Sequence, residues 1–287
     1  MFYKDRIYFS VATKTDLREN KDIAEEVLNL VISFCNAEIS KKLMITYDDE
    51  KGHKKPALTE KSLNKFLAKF HEDKIGLLTI TDYLSSETYY EDYGFDLDNI
   101  EFECNLTFKK QLTAEYKSEC NVVCMSIKYI DESKTKNFIN LFFQIHRMLN
   151  GIGSFINRGT DEQHSAGIFD MQYYHTQNLF SMFWDEQVRG YFWLMFLTDK
   201  QVDALGGIEK VENQGFYSVK KTDNGVFIQC TEKLLDYTID DALKLREFLK
   251  PIFPPLKKKS GNFFPSREYM EEKKKKGLYL FDDSDMI

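Results

Sequence analysis

The sequence predicts an α+β fold, in which mixed sheets pack against helices, and three observations support this class. Short runs of alternating apolar residues, typical of strands, recur along the chain. Longer segments between them carry apolar residues every three or four positions, as on one face of a helix. With 287 residues, 43% of them apolar, the chain can bury a large core. We predict one domain over residues 1–255, followed by a lysine-rich extension over residues 256–287.

The first part of the chain has the order strand, turn, helix. Alternation over residues 7–11 predicts a strand, and apolar residues at helical spacing over 23–34 predict a helix. Three shorter elements follow by the same criteria: a strand over 42–47, a helix over 63–70 capped by Thr59, and a strand over 75–81.

The same order returns later in the chain. Residues 122–130 alternate like a strand, a polar turn follows, and apolar residues over 138–149 mark one face of a helix. We therefore expect two similar strand-helix halves, 1–118 and 119–255. The expectation comes from the pattern of elements and not from sequence identity between the halves.

Seven consecutive apolar residues, 191–197, have the length of a buried strand and are far too few for a membrane span. Thr198 and Gln201 have the spacing of a capping box, which predicts a short helix. Gly206 and Gly207 would end this helix as a C-cap. Because the glycines follow a helix and do not open one, a phosphate-binding loop is not expected.

A hairpin and a last helix complete the predicted domain. Residues 216–219 and 226–230 flank Asp223-Asn224-Gly225, which is a strong turn signal. Thr238 opens a helix that continues to Leu249 and is stopped by Pro251.

Charge and composition exclude several classes of function. The net charge is −7, so non-specific nucleic-acid binding is not expected. No segment has the length of a membrane span, and the N-terminus lacks the pattern of a signal peptide, so we expect a cytoplasmic protein without membrane contact. The five cysteines are expected to be free thiols. Histidine spacing fits no metal motif, and neither a metal nor another cofactor is expected.

Residues 82–108 contain eight acidic side chains and no lysine or arginine, interleaved with tyrosine and phenylalanine. Tyrosines offer stiff contact area, and negative charge attracts a positive partner. A recognition surface and an acidic solvated loop that leads into a strand near 100–108 both fit this pattern, whereas Phe102 and Phe108 are expected to pack on the core. The predicted partner-binding residues are Tyr89, Tyr90, Glu91, Asp92, Tyr93, Asp96 and Asp98.

One loop combines residue types suited to acid–base chemistry. Arg158, Asp161, Glu162 and His164 lie close together in the sequence, and loops often carry catalytic residues. A solvated polar loop has the same composition and is the favoured interpretation. No serine lies in a nucleophile elbow, and no cysteine has a histidine nearby in the sequence. We therefore assign no catalytic residue and do not expect an enzyme.

The second half resembles the type VI secretion immunity-protein family, which is related to the immunity proteins of bacterial polymorphic toxin systems. The resemblance covers residues 186–255, and residues 231–236 depart from it where the family has a proline and a Gly-Asp pair. It depends on these features in order: Gly190, Trp193, Leu197, Leu205-Gly206-Gly207, a hairpin ending in Val226-Phe227-Ile228-Gln229, and Leu249-Lys250-Pro251.

This resemblance implies a protein that binds a cognate secreted toxin effector and neutralises it by direct, stoichiometric inhibition. The net negative charge predicts that the toxin is basic. Two alternatives stay open: a hydrolytic or nucleotide-modifying enzyme that reverses toxin damage, and an adaptor or chaperone for the effector. The sequence does not indicate the oligomeric state.

Overall fold

The computed structural model describes residues 6–72, 75, 77–82, 101–107, 121–128, 132–158, 185–186, 188 and 190–252. The described residues form two compact units, and the chain passes from the first to the second between Gly151 and Ile152. Antiparallel strands and separate helices occur in both units, which confirms the predicted α+β class. The single domain over 1–255 and its halves 1–118 and 119–255 stay predictions. The extension over 256–287 lies outside the described residues.

The first unit contains an antiparallel sheet with the strand order β3-β2-β4-β5-β6-β1. Each strand and helix predicted from hydrophobic periodicity is present, and β3 is an additional short strand. In chain order the elements are β1 (Arg6–Thr13), α1 (Lys21–Glu38), β2 (Met44–Asp49), β3 (Gly52–Lys54), α2 (Glu60–His71), β4 (Leu77–Thr81), β5 (Phe102–Thr107), β6 (Asn121–Lys128) and α3 (Glu132–Leu149).

The strand register places apolar side chains on one face of this sheet. Ile80 lies opposite Cys104, Cys104 opposite Met125, and Met125 opposite Phe9. All four are buried. Phe9 packs against Phe138 of α3 with ring centroids 4.8 Å apart. Burying an Ile, Met or Phe side chain contributes about 1.5–3 kcal/mol, so this row stabilises the core of the unit.

The other two helices pack in the same core. Phe34 of α1 lies 5.9 Å from Phe138 between ring centroids, and Phe66 of α2 lies 5.5 Å from Tyr47. Thr59 caps α2 as predicted, because its side chain accepts a hydrogen bond from the backbone N–H of Ser62. The helices therefore follow the apolar faces that their sequences indicate.

The second unit contains an antiparallel sheet with the order β7-β8-β10-β9. Its elements are β7 (Gly153–Arg158), β8 (Leu194–Thr198), α4 (Asp199–Ala204), α5 (Ile208–Glu212), β9 (Ser218–Thr222), β10 (Gly225–Gln229), a 3₁₀ turn (Leu234–Asp236), α6 (Ile239–Leu249) and a second 3₁₀ turn (Lys250–Ile252).

Two details of the second unit differ from the sequence-based expectation. The strand predicted over 191–197 begins at Leu194, although Tyr191, Phe192 and Trp193 are buried as well. The short helix α5, which begins directly after Gly207, was not predicted. Within the part of the chain that the structure describes, no helix is both long and apolar enough to cross a lipid bilayer.

Candidate functional site

The glycine and tryptophan pattern of residues 190–198 lies inside the second unit. Trp193 is 3% exposed, and its Nε1–H donates to the carbonyl oxygen of Thr231 at 3.0 Å. The backbone N–H of Cys230 donates in return to the Trp193 carbonyl at 2.9 Å. A Cβ at Gly190 would lie 2.6 Å from the ring of Phe192, so a side chain at this position requires that ring to move. These residues stabilise the scaffold and are not available to a partner.

The double glycine after α4 is a helix cap, as predicted. Gly206 has a φ of 101°, and the N–H of Gly207 donates to the carbonyl of Val202 at 2.9 Å, as in a Schellman motif. At the other end of α4, Thr198 and Gln201 form the predicted capping box. Backbone groups at both ends of this helix are therefore hydrogen-bonded to residues nearby in the sequence.

Of the four residues in the candidate acid–base loop, the structure describes one. Arg158 is the last residue of β7, whereas Asp161, Glu162 and His164 lie outside the described residues. The residues that are described contain no group of three or more histidine, cysteine, aspartate or glutamate side chains arranged to hold a metal ion.

His146 lies in the last turn of α3 and is 5% exposed. Burial lowers its pKa from 6.5 to about 4, because the charged imidazolium loses its hydration. The ring packs 6.3 Å from that of Phe142 between centroids. This histidine is a packed core residue and is uncharged at neutral pH.

Four of the cysteines are described, and all four are free thiols: Cys35, Cys104, Cys124 and Cys230. Burial raises the pKa of each of them, for Cys230 to about 12. A thiol that stays protonated is a poor nucleophile and metal ligand. These cysteines act as small core residues, as predicted.

The predicted partner-binding residues, Tyr89, Tyr90, Glu91, Asp92, Tyr93, Asp96 and Asp98, lie outside the described residues. The structure describes the chain on both sides of them, where β4 ends at Thr81 and β5 begins at Phe102. Phe102 is fully buried, as predicted, and Phe108 is outside the described residues.

Asp82 lies immediately after β4, and its side chain is only 1% exposed. Its Oδ2 accepts a hydrogen bond from the backbone N–H of Glu101 at 2.8 Å, and its Oδ1 accepts one from the N–H of Phe102 at 3.0 Å. The ammonium of Lys41 lies 3.2 Å from Oδ2 and compensates the buried charge. We call these four residues the Asp82 clamp.

Two further contacts hold Glu101 in place. Its carbonyl accepts the backbone N–H of Lys128 at 2.8 Å, and its carboxylate lies 3.2 Å from the ammonium of Lys134. The side chains of both ion-pair partners are largely buried, at 13% and 12% exposure. Asp82 and Glu101 are 19 positions apart in the sequence, and the structure holds them next to each other.

Sequence reasoning identified the acidic segment but did not single out Asp82. A carboxylate at the end of a strand is a common sequence feature, and nothing local indicates that its partners lie 19 positions further on. The Asp82 clamp contains no nucleophile and no metal ligand set. Its chemistry is structural, and it holds the end of β4 against the start of β5.

Comparison with solved structures shows that this chain has a fold similar to that of a known protein. The chain matches a solved structure of the Pseudomonas aeruginosa T6SS protein PA0821 with a TM-score of 0.58 and 14% sequence identity. The match covers 91% of this chain and 76% of that one. No protein-family model matches the chain, and no curated protein matches it either. At this identity the likeness establishes a shared fold.

Proposed function

We propose that this chain is an immunity protein, which binds a cognate toxin effector of a type VI secretion system and neutralises it by direct, stoichiometric inhibition. The observation that carries the proposal is the fold, which matches that of a T6SS protein over most of the chain. This neighbour supports a role connected with type VI secretion. Among such roles we favour toxin inhibition because residues 186–255 resemble the immunity-protein family.

The proposed contact surface is the acidic, tyrosine-rich segment around Tyr89–Asp98. Negative charge without intervening lysine or arginine would attract a basic toxin, and the tyrosines would supply contact area at low entropic cost. Asp82 and Glu101, which lie on either side of this segment in the sequence, are held next to each other by hydrogen bonds. Such inhibition occludes the toxin and needs no chemistry from the inhibitor.

The proposed compartment is the cytoplasm, where an inhibitor of this type protects the producing cell and its kin. The net charge of −7 favours a basic toxin as the partner. Neither a cofactor nor a membrane takes part in this mechanism.

Immunity proteins are encoded beside their toxins, so the first experiment co-expresses the chain with the product of the adjacent gene. It measures complex formation by size-exclusion chromatography and cell survival. We expect a stable complex and restored growth. A complex that leaves the toxin active would favour the adaptor alternative, and failure to form any complex would contradict both.

The contact surface is tested by a triple variant, Tyr90→Ala with Asp92→Lys and Tyr93→Ala. We expect its affinity for the toxin to fall by at least about 100-fold, because hot-spot tyrosines and a steering charge are removed together. Tyr217→Ala with Asp223→Lys makes the same kinds of change at exposed positions of the second unit and serves as the control. Equal affinities of the two variants would exclude the acidic segment as the contact surface.

A further inference from the structure

Residues 41–71 differ in charge from the chain as a whole. They contain eight lysines and four acidic residues, a net charge of +4, whereas the whole chain carries −7 and the rest of it therefore −11. We infer that helix α2 and the β2–β3 hairpin, which lie in this stretch, form a surface that binds the phosphate backbone of a nucleic acid. None of these residues belongs to the acidic segment, so the inference goes beyond the proposed function.

Helix α2 carries a stripe of three lysines, Lys61, Lys65 and Lys69, at i, i+4 and i+8 spacing. This spacing places a lysine about every 6 Å along one side of the helix. Lys61 and Lys65 are exposed, and neither forms an ion pair with a residue that the structure describes. Like charges four positions apart destabilise a helix, so the stability of α2 does not explain the stripe.

Asp49 links the end of this lysine stripe to the β2–β3 hairpin. The side chain of Asp49 is 2% exposed, its Oδ2 pairs with Lys69, and its Oδ1 lies 3.7 Å from the ammonium of Lys54. Oδ1 also accepts a hydrogen bond from the backbone N–H of Lys51 at 2.8 Å. Because two ammonium groups share one buried carboxylate, this end of the stripe keeps a positive charge.

Three other acidic residues lie in the stretch: Asp48, Glu50 and Glu60. Asp48 hydrogen-bonds to His53 at 3.0 Å, and Glu60 lies in the first turn of α2, where negative charge stabilises the helix N-terminus. Four exposed lysines of the stretch form no ion pair with the described residues: Lys42, Lys51, Lys61 and Lys65. The surface is therefore positive by a small net charge, and its binding should be weak.

The stretch lacks the exposed anchors of a protein interface. Among the residues that the structure describes, the exposed large hydrophobic side chains are Tyr217 and Leu235, and both lie in the second unit. Protein–protein hot spots are rich in aromatic anchors, whereas nucleic-acid interfaces are more polar and much more positively charged. Exposed lysines without such an anchor favour a nucleic acid over a folded protein as the partner.

Strand addition and a lipid surface fit these residues less well. β3 is the edge strand of its sheet, but it has three residues, and Pro56, which lacks a backbone N–H, follows two positions later. The apolar side of α2 is not free to enter a lipid layer, since Phe66 and Phe70 are each 1% exposed. The lysines remain the groups that a partner can reach.

A lysine ammonium contacts a phosphate as a point charge and reads no base, so binding should not depend on nucleotide sequence. Each phosphate that is neutralised releases counterions, and the affinity should fall steeply as the salt concentration rises. Because the net charge of −7 repels a polyanion, we expect a dissociation constant of only about 10 μM at low salt. The net charge weakens the contact without removing it.

Fluorescence anisotropy with a short labelled DNA duplex of mixed sequence measures this binding. We expect Lys61→Glu with Lys65→Glu to weaken the affinity about tenfold or more and to lower the slope of log affinity against log salt by about 2, because two phosphate contacts are lost. Lys61→Arg with Lys65→Arg keeps both charges and should keep the affinity within about twofold. Both lysines are exposed, so all variants should fold, which circular dichroism checks.

The matched control is Lys210→Glu with Lys244→Glu, which makes the same change in net charge at exposed helical positions of the second unit. It should weaken the affinity by no more than about twofold. An equal loss in both charge-reversal pairs would overturn the inference, as would failure of the wild-type chain to bind the duplex at low salt.

Vesicles rich in phosphatidylserine and polyglutamate serve as the other polyanions. Tighter binding to either of them than to DNA would overturn the inference in favour of a lipid surface or an acidic protein. No toxin enters these measurements, so failure of the nucleic-acid contact and failure of the proposed function give separate results.

Discussion

Burial of the His146 imidazole makes the stability of the first unit depend on pH. Its pKa is about 4 in the folded chain and 6.5 as the ordinary value, so protons bind first to the unfolded chain as the pH falls. The free energy of unfolding therefore decreases as the pH falls from 6.5 to 4, and this group accounts for a loss of about 3 kcal/mol.

Urea denaturation across this pH range measures the effect. His146→Leu should flatten the dependence between pH 6.5 and pH 4, because no titratable group remains at the buried site. His53→Leu is the matched control, since the side chain of His53 is 61% exposed. An equally steep dependence in His146→Leu would show that other groups determine the acid sensitivity.

Individual buried cysteine thiols should resist alkylation in the folded chain. Burial raises the pKa of Cys35 and Cys104 well above the ordinary value, so the thiolate is scarce. Treatment with iodoacetamide followed by peptide mass spectrometry should leave both thiols unmodified under native conditions and modified in urea. Rapid native labelling of either thiol would contradict their burial.

At the scale of elements, the β8–β10 pair depends on a glycine at the start of β10. A Cβ at Gly225 would lie 2.1 Å from the carbonyl oxygen of Leu197, so the backbone must move to accept a side chain. We expect Gly225→Ala to reduce the free energy of unfolding by about 3 kcal/mol or more. Gly52→Ala, also at positive φ but with no atom within 4 Å, should cost only about 1 kcal/mol.

Thermal or urea denaturation of the two glycine variants distinguishes a clash from backbone strain. Similar losses in both would mean that the β8–β10 pair can relax around a new side chain. A larger loss in Gly225→Ala, together with faster amide exchange at Leu197 and Val226, would locate the damage in this strand pair.

Elements whose chemistry is local were predictable from the sequence. Thr198 with Gln201 and Thr238 with Asp241 form capping boxes, because the interacting groups are three positions apart and need no tertiary contact. The start of β8 was placed too early because Tyr191–Trp193 are as hydrophobic as the strand. Burial alone does not distinguish a strand from a packed connection.

Contacts between distant positions were not predictable in the same way. The bonds from Glu101 and Phe102 to Asp82 exist only because β4 and β5 are neighbours in the sheet. Composition indicated a candidate surface in the acidic segment, and the structure adds the hydrogen bonds of Asp82 at the end of β4. The sequence therefore indicates the candidate contact residues around Tyr89–Asp98, whereas only the structure identifies the contacts of Asp82.

At the scale of the whole molecule, the net charge of −7 should control how fast a basic partner arrives. If the acidic segment steers association, Asp92→Lys with Asp96→Lys should lower the association rate constant for the toxin by about tenfold or more at low salt. The rate constant of the wild-type chain should also fall as the salt concentration rises, because salt screens the charges. Stopped-flow measurement over a series of ionic strengths gives both numbers.

The control makes the same change in net charge at residues that are not part of the acidic segment. Glu209→Lys with Glu232→Lys changes the net charge by the same amount at exposed positions of the second unit. A local steering surface predicts that this control associates nearly as fast as the wild-type chain, whereas a pure net-charge effect predicts equal slowing in both double variants. If both double variants slow association equally, the net charge attracts the toxin without a defined surface, and the assignment of Tyr89–Asp98 loses its electrostatic support.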